Sequence, residues 1–174
     1  MAEFVLAVPG HVVVPTQGGP DVFDNVFGLG WTDQQGLRRP GNVRFNGKSG
    51  QSAVDFHFPF TIPALFGTGP AGTGTKMTVV RVAVFFFTDP AVRVDRIRVM
   101  DRESTIFDTL PLFGLLGMSS STLFRNSPAV VNRNLHDVGP SGKLISHGLS
   151  VTVTVNFGSG GIVGFTGVAL LLTN

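Results

Sequence analysis

Apolar and polar residues alternate with a period of two through much of the chain. From Leu149 to Phe157, in Leu-Ser-Val-Thr-Val-Thr-Val-Asn-Phe, every odd position is apolar and every even one polar. This is the pattern of a strand with one face on a core and a hydroxyl face towards water or a partner. The turn Gly158-Ser159-Gly160-Gly161 leads on to Ile162–Leu172, so the two segments read as a hairpin. Asp89-Pro90 likewise separates Thr78–Thr88 from Val92–Asp101. Proline at the second position suits a type I turn, which predicts a second hairpin there. Further strands are predicted at Phe4–Val8, His11–Val14, Phe23–Leu29, Val43–Asn46, Ala53–Phe60 and Thr105–Thr109, with a corner at Pro9-Gly10. Val92 and Val94 share one parity, Ile97 and Val99 the other. One extra residue near Asp95-Arg96 would return all four to the core, so a bulge is predicted there.

No stretch sustains a helical period; a single turn from Leu123 is the most the sequence supports. The segments 30–41, 67–76 and 126–143 read as long loops. Short strands joined by Gly/Pro turns, without crossover helices, predict one all-β domain over residues 1–174. The expected architecture is an antiparallel two-sheet sandwich, jelly-roll-like.

Two strands depart from simple alternation. Thr78–Phe87 places Val80, Val82, Val84 and Phe86 on one face, and Val79, Arg81, Ala83, Phe85 and Phe87 on the other. Ile162–Leu172 sets Val163, Phe165, Ala169 and Leu171 against Val168, Leu170 and Leu172. A strand of a two-layer sandwich has one core-facing side, so the second apolar side needs a cover. Another copy of the chain is the expected cover, with Val79, Arg81, Ala83, Phe85, Phe87, Val163, Phe165, Ala169 and Leu171 as the self-association residues. Segments 111–118 and 126–143 are the competing covers within one chain.

Composition strengthens this picture. Charged residues make up only 14% of the 174 residues, so the surface does little to repel other copies. The net charge of +2 comes from scattered arginines, and Arg93, Arg96, Arg98 and Arg102 are interleaved with Asp95, Asp101 and Glu103. Mixed signs at strand spacing read as a solvated face, which excludes the basic stripe that nucleic-acid binding requires. There are no cysteines, which removes disulfides, thiolate metal sites and thiol nucleophiles. Gly158–Gly161 interrupts the apolar stretch from Leu149 to Leu172, so it is not expected to span a membrane. The first residues carry no basic region followed by a long apolar run, so no signal peptide is visible and a cytoplasmic location is the default expectation.

Candidate chemistry is sparse. Gly69–Lys76 looks like a phosphate loop, but Thr75 and Met77 break the Gly-Lys-Ser/Thr requirement and the loop opens a strand. Asp55 and His57 lie two apart on a strand, hence on one face, a spacing that suits a metal or an acid–base pair. No spacing points to a third ligand, so no metal, cofactor or catalytic residue is expected and the two read as polar residues of an exposed face. Ser119–Ser121 lack a nucleophile-elbow context, and His136-Asp137 are neighbours in a loop. Trp31 is the one aromatic suited to a ligand platform, although burial suits a tryptophan better, and the chain has no tyrosine to help stack a sugar.

The second half resembles a bacterial family of small β-sandwich proteins of unknown function. The carrying residues are His57-Phe58-Pro59-Phe60-Thr61-Ile62-Pro63, Val79–Phe87, Val99-Met100-Asp101 with Ile106-Phe107-Asp108, and Ile145–Val151 followed by a final apolar strand. The match spans roughly residues 53–172. This chain departs from it by an inserted Phe60-Thr61 and by the long 67–74 loop. The resemblance implies a β-sandwich and no particular activity. The sequence therefore leads to a non-enzymatic structural or interaction module that associates with itself. A lectin-like sandwich binding carbohydrate or a small ligand through Trp31, Asp55 and His57 is the alternative.

Overall fold

In the computed structural model, residues 3–17, 22–27, 43–51, 53–61, 77–102, 104–109, 132–138, 143–145 and 148–173 are described. The strands are β1 (Glu3–Pro9), β2 (Val14–Pro15), β3 (Phe23–Phe27), β4 (Val43–Gly47), β5 (Val54–Phe60) and β6 (Thr78–Thr88). They continue with β7 (Arg93–Asp101), β8 (Ser104–Asp108), β9 (Asn132–Asp137), β10 (Lys143–Leu144), β11 (Leu149–Asn156) and β12 (Gly161–Thr173). All pairings are antiparallel. The first sheet runs β10-β6-β12-β4-β3, with β1 also on β12 and β9 also on β6. The second runs β2-β5-β11-β7-β8. The expected antiparallel two-sheet sandwich is what forms, and β4, β5, β6 and β7 alternate between the sheets in jelly-roll manner.

Both predicted hairpins are overturned. β6 lies in the first sheet and β7 in the second, and β11 and β12 are divided in the same way. The turns themselves are real: Val92 N–H donates to the Asp89 carbonyl at 3.0 Å and Gly160 N–H to that of Phe157 at 2.8 Å. They carry the chain across the sandwich instead of back along one sheet. Glycines at 158, 160 and 161 have φ of 55°, 96° and 144°, which redirects the strand. A Cβ on Gly158 would stand 2.6 Å from the Ala91 carbonyl oxygen, so the two corners are stacked against each other. Asp89 ties them: its N–H donates to the Ile162 carbonyl at 2.9 Å, and its carboxylate accepts from Ile162 N–H at 2.8 Å.

The segment predicted as a strand at His11–Val14 is a 3-10 turn over Gly10–Val12 followed by β2. This turn makes the corner expected at Pro9-Gly10, because it passes the chain from β1 in one sheet to β2 in the other. β9 lies inside a stretch read as loop and pairs with β6 from Arg81 to Phe86. Its sequence, Asn-Arg-Asn-Leu-His-Asp, offers no apolar alternation to announce a strand.

Packing rests on phenyl rings. Phe56 sits between the sheets, with ring centroids 4.8 Å from Phe45, 5.1 Å from Phe165, 6.1 Å from Phe23 and 6.4 Å from Phe157. The interplanar angles of these pairs, 44° to 62°, avoid face-to-face stacking, as ring quadrupoles require. A chain with 16 phenylalanines and no tyrosine suits such a core, since a phenol buried there would need a hydrogen-bond partner.

The bulge expected near Asp95 is present: Thr154 pairs with Arg96 and Val155 with Val94, leaving Asp95 extra. Val92, Val94, Ile97 and Val99 are all fully buried as a result. Two further bulges, not foreseen, revise the doubly apolar strands. Val80 is extra on β6, between the Leu172–Val79 and Leu171–Arg81 pairs, and Thr166 is extra on β12. Each reverses the facing of the residues beyond it. Val79, Val163 and Phe165, expected on the outer face, are therefore core residues with no exposure.

Candidate functional site

The two sheets present unlike outer surfaces. On the first, β1, β12 and β6 align Val5, Leu171 and Arg81 in one row and Ala7, Ala169 and Ala83 in the next. Val5 is 67% exposed, Ala7 is exposed, and Leu171, Ala169 and Phe85 are half-buried. A shallow groove of about 360 Å³ runs between Ala7, Pro9, Phe85, Gly167 and Ala169. Phe87 does not join this open area. Its ring lies over Gly164, where a Cβ would stand 2.0 Å from Cζ, and the Arg44 guanidinium caps it 5.1 Å from the centroid. Of the nine residues expected at a self-association surface, Arg81, Ala83, Phe85, Phe87, Ala169 and Leu171 keep the predicted facing. Ala83 and Phe87 among them are buried.

The second sheet turns a polar face outward, built by β5, β11, β7 and β8. Alternation on β5 puts Val54, Phe56, Phe58 and Phe60 in the core and Asp55 and His57 outside. Register then sets His57, Thr152 and Arg98 in one row and Asp55, Thr154 and Arg96 in the next. The Asp55 carboxylate accepts from Arg98 at 2.5 Å through one oxygen and from the Thr154 hydroxyl at 2.5 Å through the other. His57 Nδ1 lies 2.8 Å from the Thr152 hydroxyl. Arg96 grips Asp108 with two prongs, Nε donating to Oδ1 at 2.9 Å and the terminal nitrogen to Oδ2. Arg93 pairs with Asp95 at 2.7 Å.

This face is more enclosed than the sequence implies. Thr152 and Thr154, expected to meet water or a partner, are 2% and 8% exposed beneath the longer side chains around them. The Asp55 and Arg98 side chains keep 25% and 22% of their exposure, enough to be reached from solvent. Arg98 Nε is buried with no hydrogen-bond partner among the described residues. The Arg96 guanidinium is held above its ordinary range, first by its hydrogen bond to Asp108 and against desolvation. A cation raised in this way contributes fully below its unfolded-state value and loses that contribution only as pH climbs through the folded one. Arg96 therefore stays charged at every pH in ordinary use.

Asp55 and His57 thus share the predicted face, but the structure does not join them as an acid–base pair; each is held by a different partner. Among the described residues no group of three His, Asp or Glu is placed to hold a metal ion. Trp31 and the phosphate-loop-like stretch 69–76 lie outside the described residues, as does segment 111–118. Asp101, grouped by sequence with the solvated charges, is 6% exposed and accepts the Gly148 N–H at 2.8 Å. Sequence reasoning missed Arg98, Thr152 and Thr154 as companions of Asp55 and His57. Outward parity on each strand was legible, but the order β5-β11-β7 that brings them together was not.

No family model and no curated relative matches the chain. Two solved structures are similar in fold. One is a carbohydrate-binding module, TmCBM61, in complex with β-1,4-galactotriose, at 12% identity and TM-score 0.41 over 97% of this chain and 86% of that one. The other is an exo-β-1,3-galactanase from Phanerochaete chrysosporium with galactose, at 8% identity and TM-score 0.43. That match covers 96% of this chain but only 29% of the galactanase. No described helix is long and apolar enough to cross a membrane.

Proposed function

We propose that the chain is a non-enzymatic recognition module that binds a hydroxyl-rich ligand, a carbohydrate, on the outer face of the second sheet. The observation that carries this reading is the array of Asp55, His57, Thr152, Thr154, Arg96 and Arg98 on three adjacent strands. Neighbouring strands stand about 5 Å apart, so donors and acceptors repeat on the scale of the hydroxyls of one or two sugar rings. Their mutual bonds fix the side chains before any ligand arrives, which lowers the entropy lost on binding. Capacity remains: Arg98 has further N–H groups, Asp55 further lone pairs, and His57 a second ring nitrogen with no bond among the described residues. Calorimetric titration with a panel of soluble oligosaccharides tests this. His57→Gln is expected to weaken binding by about tenfold, the loss of one well-placed hydrogen bond. A panel with no binder at all removes the reading.

A second reading is favoured by Val5, two-thirds exposed on β1 beside half-buried Leu171, Ala169 and Phe85. Under it the outer face of the first sheet packs on a second copy of the chain, with Arg81 lying along the apolar surface through its stem. Mass measurement in solution tests it: a value well above 18.4 kDa supports association, and a monomer at all concentrations rejects it.

A further inference from the structure

Among the described residues of β5, β11, β7 and β8, each arginine on the outer face is paired with a carboxylate. Arg96 is paired with Asp108, Arg98 with Asp55 and Arg93 with Asp95. From this pairing we infer that the ligand is a neutral saccharide, and that uronate- or sulfate-bearing sugars are rejected; the inference rests on the carbohydrate reading above. An anion needs a guanidinium not already committed to a carboxylate. Binding one here means either separating a half-buried ion pair or placing negative charge beside Asp55 and Asp108. Separation leaves a carboxylate without compensation in a partly desolvated place, the costly way to break such a pair. A neutral hydroxyl meets neither obstacle. It accepts from the unused N–H groups of Arg98 and donates to the remaining lone pairs of Asp55, with both pairs intact. Steering by long-range charge has no part in this recognition, because the local charges cancel.

Titration of one neutral oligosaccharide and its uronate and sulfated counterparts, at about 0.1 M and about 1 M salt, tests the inference, since exposed electrostatics are largely screened across that range. The neutral sugar is expected to bind about tenfold or more tightly than either acidic form, with affinity nearly unchanged by salt. Asp55→Asn releases Arg98 from its carboxylate and is expected to raise affinity for the uronate form; Asp108→Asn does the same for Arg96 and serves if the first variant fails to fold. Equal or tighter binding of an acidic sugar by the native protein, with affinity falling steeply as salt rises, overturns the inference and leaves the carbohydrate reading standing. Uronate affinity unchanged in a folded variant also overturns it. Absence of binding by all three sugars removes the carbohydrate reading itself.

Discussion

Gly47 shows how closely single positions are constrained. A Cβ built there would stand 2.2 Å from Phe157 Cδ1, close to the root of a ring that is fully buried and 5.9 Å from Phe23. Gly47→Ala is therefore expected to cost about 1–3 kcal/mol, the usual penalty for overpacking a core. Gly148→Ala is the control, because nothing lies within 4 Å of its added carbon. It should stay within about 0.5 kcal/mol of the native value. Urea unfolding of both variants checks this, and equal losses at the two positions would show that the Phe157 ring is not the cause. Residue facing was partly legible in the sequence. Asp55 and His57 were correctly placed outward by alternation, whereas the contact of Gly47 with Phe157 joins residues 110 apart through a tertiary approach that no local pattern encodes.

At the scale of elements, the bulges at Asp95, Val80 and Thr166 divide cleanly by what the sequence reveals. Asp95 is polar and interrupts an otherwise regular valine and isoleucine series, so the change of parity is visible. On β6 and β12 both faces carry mainly apolar residues around Val80 and Thr166, Arg81 apart, so a reversal of facing leaves the pattern looking much the same. The turns suffered a related ambiguity. A short Asp-Pro or Gly-rich turn closes a hairpin within a sheet or an arch between sheets with the same local hydrogen bonds, and only the stacked corners at Asp89 and Gly161 distinguish them. Deleting Asp95 should be severe. It would turn either Val92 and Val94 or Ile97 and Val99 away from the core, exposing two side chains worth about 1.5–3 kcal/mol each. The expected result is a loss of cooperative unfolding in a thermal melt; replacing Asp95 with Asn keeps the residue count and should retain the fold. A deletion variant as stable as the native protein would mean that the bulge does not set the facing of β7.

For the whole molecule, the sandwich separates two chemistries onto opposite outer surfaces. The first sheet shows Val5, Ala7, Leu171 and Phe85, and the second shows paired arginines and carboxylates around His57. The phenylalanine core between them holds both sheets as one packed body, so a change on one surface should leave the other in place. That separation makes the two functional readings independent and open to a crossed test. Phe85 lines the apolar groove and is only half-buried, so Phe85→Asp adds a charge at the margin of the core and not within it. If the first sheet packs on a second copy, the native protein has a mass well above 18.4 kDa in solution, and Phe85→Asp returns it to monomer with its strand content intact and its saccharide affinity unchanged. His57→Gln should behave in the opposite way, leaving the mass alone and weakening the ligand. A native monomer in which Phe85→Asp unfolds the chain would place that ring under cover from its own chain, and the apolar surface would then be part of the core, not an interface.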